Sequence, residues 1–214
     1  MSDVVNSEQT DRRSVEERRE QLIDAAIQVL ATEGLGRATT RNITEQANLA
    51  LGAFHYAFRS KDELLESVIE RVVSATERVL QDAAEDVRDE PNRAIARMLE
   101  EFWEFIDETP DLQLAQYELT VHALRNPKMR RLAVDQHRRY TAAIRGVLDQ
   151  VPGSPEGQEA EDLARYIVAT MDGLVLHRLV EEDVEAGRRR LTLHQTALQS
   201  LVEGHTGEQN SMVG

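Results

Sequence analysis

Residues 51 to 58 read Leu-Gly-Ala-Phe-His-Tyr-Ala-Phe, with no carboxylate, Lys or Arg, in a chain that is 30% charged. At helical spacing Phe54 and Phe58 fall on one face and can anchor it. Leu51, Gly52, Ala53, His55 and Tyr56 are left to face outward. An imidazole and a phenol can donate to phosphate oxygens, and small residues at 52 and 53 let a helix approach a partner closely. A protonated His55 would add charge to such a contact. This chemistry is recognition, not turnover.

Signals of turnover fail on their own terms. The chain has no Cys, so it has no thiolate ligand or Cys nucleophile. The stretch "GLGRAT" at 34–39 lacks the third Gly of a dinucleotide loop and follows a helix pattern. Glu118 and His122 are four apart, where a helical di-iron site uses Glu and His three apart on two helices. No Ser-His-Asp order carries a strained-turn signature. The sequence leads to the expectation of no enzyme, no metal and no cofactor.

Helical periods run through the chain, and no alternating strand run interrupts them. Ser14 with Glu17 reads as a capping box, and Gly34 and Gly36 close that first helix. Thr39 or Thr40 caps a short second helix, with Ile43 and Ala47 inward. Asn48 suits a tight break at positive φ, and Leu51–Phe58 is the third helix. Ser60 with Glu63 opens the fourth in a second capping box. Five longer helices follow, the fifth from "DEPN" at 89–92 and the last from about 189 to 203. The fold class is therefore all-α with about nine helices. Two short helices joined by a three-residue break have the layout of a helix-turn-helix.

The net charge of −14 argues at first against nucleic acid. The charge is uneven, however. Residues 1–62 hold 10 acidic and 8 basic side chains, so the N-terminal quarter is nearly neutral and the remainder carries the acid. Local potential governs a contact, and an acidic body does not forbid it. The polar N-terminus is no signal peptide and no run is long and apolar enough for a membrane span, so a cytoplasmic protein without a membrane partner is expected.

The segment "ATTRNITEQANLALGAFHYAFRSKDELLESVI" resembles the DNA-binding region of the tetracycline-repressor (TetR) family. The resemblance rests on Thr39-Thr40-Arg41, on Gly52 to Phe58, and on the closing Phe58-Arg59-Ser60-Lys61-Asp62-Glu63-Leu64. It covers roughly residues 15–70; later helices match in number, length and order. By position it implies phosphate contacts at Thr40, Arg41 and Lys61, a DNA-binding place for Thr39 beside them, and a groove-facing surface of Leu51, Gly52, Ala53, His55 and Tyr56. Three positions depart from the pattern: Ala50 stands where Ser or Thr caps the third helix, Asn48 replaces Gly, and His55 replaces Tyr.

The resemblance further implies an N-terminal three-helix DNA-binding domain and a larger C-terminal helical ligand-binding and dimerisation domain. The corresponding boundaries are a disordered arm 1–13, a helix-turn-helix domain 14–60, an effector and dimer domain 61–203, and a flexible tail 204–214. Candidate effector-pocket residues are Phe102, Trp103, Phe105, Tyr117, His122, His137, Met171 and His177. The aromatic ones read equally well as core. The eighth helix is apolar over more than one face, so the last two helices either pack inside their own subunit or meet a twin. The family's four-helix bundle places a homodimer there, through Ile167, Met171, Leu174, Val175, Arg178, Leu198 and Leu201. The expected function is a dimeric regulator, a repressor of a palindromic operator released by a small-molecule effector. The alternative is a helical ligand-binding or scaffolding protein without operator binding.

Overall fold

The computed structural model describes residues 2–86, 93–152, 154–181 and 183–211, with side chains described from 15–83, 93–152, 154–181 and 183–201. The described residues form nine helices and no strand: α1 Ser2–Glu33, α2 Thr40–Gln46, α3 Leu51–Ala57, α4 Lys61–Asp86, α5 Ala94–Glu108, α6 Pro110–Arg125, α7 Arg130–Leu148, α8 Gly157–Val180 and α9 Val184–Ser211. No helix among them is long and apolar enough to cross a membrane. The expected fifth-helix start at "DEPN" lies outside the described residues.

Both ends differ from expectation. The segment expected to be disordered continues α1 back to Ser2, so Ser14 lies inside the helix rather than at its start. Residues 3–13 contain no Gly or Pro, and extending an existing helix adds one hydrogen bond per residue without a new nucleus. The expected tail likewise continues α9 to Ser211, through Gly204 and Gly207. A helical Gly costs about 1 kcal/mol against Ala, too little to stop a helix already formed.

The chain packs as two compact units, Met1–Val72 with Asp111–Ala133, and Val73–Pro110 with Val134–Gly214. This division departs from a boundary at residue 60, because α6 joins the first unit. The Glu118 Oε1 of α6 accepts the Leu35 N–H at 2.8 Å, just past the end of α1. Gly34 makes this possible: it sits at φ +79, and a Cβ there would lie 3.0 Å from that oxygen.

In the first unit α1, α2 and α3 pack on one another. Leu22, Ala26, Leu30, Ile43, Phe54, Phe58 and Leu64 are fully buried among them. In the second unit α5, α8 and α9 pack mutually. Gly187 of α9 lies against the Trp103 indole so closely that a Cβ there would be 2.5 Å from Cη2. Four polar side chains are also buried in this unit: Thr76, Gln136, Tyr140 and Thr141.

Candidate functional site

The local signals that set up α2 and α3 act as the sequence suggests. Thr39 is extended, and its Oγ1 accepts the Asn42 N–H at 3.2 Å, capping α2. Asn48 turns the chain at φ 54. Ala50 makes no side-chain cap to α3. Burial of Phe54, Ala57 and Phe58 fixes α3 instead. The opposite face therefore has to be solvent-facing: Leu51, Gly52, His55 and Tyr56 are exposed and Ala53 is half-buried. Gly52 has open space around its Cα, so this face can lie flat against a partner.

The flanks of α3 are pinned by α4. Ser60 Oγ accepts the Glu63 N–H at 3.1 Å, and Glu63 reaches back to the Arg59 N–H at 2.8 Å. This is a capping box whose return bond falls one residue earlier than the usual N-cap. The Arg59 N–H, together with Arg19, holds the Glu63 carboxyl below its ordinary value. Lys61 opens α4 beside this cap; burial pulls its ammonium below the ordinary value, against the attraction of Asp62. An anion placed there would reverse that shift.

Arg19, which sequence reasoning missed, ties these pieces together. Its Nη1 donates to the Ala57 carbonyl at 2.6 Å and to Glu63 at 3.1 Å, and its Nη2 reaches Ser67 Oγ at 3.3 Å. Its guanidinium also lies 4.1 Å from the centre of the Phe58 ring. One side chain of α1 thus holds the last turn of α3 to the first turn of α4. Nothing in local spacing signals it, since its partners are 38 to 48 residues away.

Arg41, a candidate phosphate contact, pairs with Glu45 one turn on at 2.8 Å, and both are exposed. An exposed pair of this kind is weak and screened by solvent, and Arg41 can exchange Glu45 for another anion.

The effector candidates divide between the two units. Tyr117 and His122 belong to the first unit, and the other six to the second. Phe102, Trp103 and Met171 are buried, whereas His137 and His177 are exposed. Trp103 Nε1 has no hydrogen-bond partner among the described residues. The structure adds a polar cluster that the aromatic pattern did not reveal. The Tyr140 hydroxyl accepts from Gln136 at 3.4 Å and bonds to Thr76. Burial pushes its phenol up to about 12, against those hydrogen bonds. Nearby, desolvation raises the Asp172 carboxyl, opposed by His137, while the residue keeps solvent access.

Most of the candidate dimer residues lie inside their own chain. Ile167, Met171, Leu174, Val175 and Leu198 are buried inside their own chain, and Arg178 pairs with Asp107 at 2.5 Å. Of the seven, Leu201 alone is exposed. The reason is that α8 has two apolar faces and uses one on α5 and α9 of the same chain. The other face remains outward: Leu176 is 54% exposed and Val180 77%, with Tyr166 and Gly173 on the same stripe. On α9 Leu193 is 70% exposed, four and eight residues before exposed Ala197 and Leu201.

Comparison with known proteins agrees with this geometry. Residues 22–68 match the family model of bacterial regulatory proteins, tetR family, and residues 86–204 match the tetracyclin repressor-like C-terminal domain. The nicotine-responsive transcriptional repressor HdnoR of Paenarthrobacter nicotinovorans is 34% identical over 174 residues, covering 77% of this chain and 85% of that one. The transcriptional regulator PksA of Bacillus subtilis is 26% identical over 78% of this chain and 80% of its own. Among solved structures, the multidrug binding protein EbrR complexed with malachite green has a TM-score of 0.62 at 27% identity, covering 85% of this chain and 98% of that one.

Proposed function

The chain belongs to the TetR family of bacterial regulatory proteins, and on that premise we propose that it is a dimeric repressor that reads a palindromic operator with α3 and is released by a small-molecule effector. The observation that carries the reading is the outward face of α3, where Leu51, Gly52, His55 and Tyr56 are exposed between anchored Phe54 and Phe58. Ala53 lies at its edge, Thr39, Thr40 and Arg41 at the start of α2, and Lys61 at the start of α4. Such flanking groups bind phosphate and set register, while α3 lies in the major groove.

Dimerisation uses the outward stripe of α8 and α9, with Leu176, Val180, Leu193 and Leu201 at its centre. The first three helices form the DNA-binding part; the effector is held in the second unit, near Tyr140, Gln136 and Thr76. α4 is the element shared by both parts, since residues 61–72 lie in one unit and 73–86 in the other. An effector that favours one position of α4 changes operator affinity only through its differential affinity for the two states. The relatives' names for nicotine and malachite green support an organic effector of that size. A protein with this task works in the cytoplasm, beside its DNA.

The test is selection from random duplex DNA followed by titration at two salt concentrations. Wild-type protein should bind saturably and lose affinity steeply with salt. Tyr56→Ala and Lys61→Ala should each weaken binding about tenfold, the loss of a charge-assisted or hydroxyl contact worth roughly 1.4 kcal/mol. No binding at either salt would favour the helical ligand-binding or scaffolding alternative.

A further inference from the structure

We infer that Arg18, on α1 and outside the helix-turn-helix motif, is a DNA phosphate-binding residue held in place by the Tyr56 ring; the inference rests on the reading of α3 given above. The Arg18 guanidinium carbon lies 5.2 Å from the centre of the Tyr56 ring. Tyr56 is 47% exposed and sits on the same α3 face as Leu51, Gly52 and His55. Arg18 therefore borders the surface proposed to meet DNA.

Among the described residues Arg18 makes no ion pair, as is also true of Arg59 and Lys61 beside the start of α4, whereas the other nearby cations of α1, α2 and α4 are paired. Arg19 pairs with Glu63, Arg37 with Glu33, Arg41 with Glu45, and Arg71 with Glu20 and Asp24. The Arg18 guanidinium faces the Tyr56 ring. In a chain of net charge −14, a cation with no ion pair among the described residues is available for an outside anion. Stacking leaves the N–H fork of a guanidinium free at its rim, and that fork matches two phosphate oxygens. Holding the group beforehand lowers the ordering cost of the contact. Tyr56 then acts twice, through its own hydroxyl and as the platform for Arg18.

The experiment is a salt titration of wild type, Arg18→Gln and Arg18→Lys on the selected operator and on a random duplex. Each phosphate contact contributes about 0.9 to the slope of log affinity against log salt, so a dimer losing two should lose about 1.8. Arg18→Gln should show that loss, with affinity down about tenfold on both DNAs, because phosphate contacts carry no sequence information. Arg18→Lys should keep most of the slope. A Gln variant that weakens binding with the wild-type slope, or on the operator alone, overturns the inference and leaves the DNA-binding reading intact. A wild-type protein with no salt-dependent binding removes both.

Discussion

Replacing both Leu176 and Val180 with Glu should yield a monomer that binds operator at least about 100-fold more weakly, since linking two modules raises avidity by roughly 10² to 10⁴. Both side chains point out of their own chain, at 54% and 77% exposure, so the substitution leaves the core untouched. In a two-fold bundle it would set four carboxylates in an apolar seam, where each unpaired buried charge costs several kcal/mol. Gly173, on the same stripe, has nothing within 4 Å of a Cβ position and leaves room for a partner helix to come close. Light scattering after size exclusion reads the mass, and the operator titration reads the affinity. A variant that stays dimeric would move the interface to another face.

Arg19→Ala should lower the stability of the first unit by about 3 kcal/mol, because hydrogen bonds involving a charged group contribute roughly 1.5–3 kcal/mol each and the deletion leaves partners behind. The Ala57 carbonyl, Glu63 and Ser67 all lose a donor, and Phe58 loses the cation above its ring. Arg19→Lys should recover less than half, since one ammonium cannot reproduce a fork that spans three acceptors while stacking. Denaturant unfolding followed by circular dichroism checks both. A loss under about 0.5 kcal/mol would class Arg19 with ordinary surface residues.

The helix-turn-helix was legible because its determinants are local. Thr39 caps within three residues, Asn48 sets its own φ, Ser60 and Glu63 close a box, and Phe54 and Phe58 mark a face four residues apart. Long-range determinants left no such trace. The partners of Arg19 lie two and three helices further along the chain, and Glu118, dismissed as a metal ligand, turns out to hold the Leu35 N–H. Periodicity showed that α8 has two apolar faces but gave no means of choosing between them. Several expected dimer residues, Ile167 and Leu174 among them, lie on the buried face, because in sequence they look no different from exposed Leu176 and Val180. The buried polar cluster around Tyr140 was missed for a related reason: an aromatic scan ranks rings and says nothing of which polar tips are buried with them.

Hydroxyl-radical footprinting of wild-type protein on its selected DNA tests the central claim most directly. A dimer placing two copies of α3 in successive major grooves should protect two blocks related by a two-fold axis, with half-sites about one helical turn apart or a little more. Both blocks should fade together with Tyr56→Ala. A single protected block, or two blocks indifferent to Tyr56, would contradict the account.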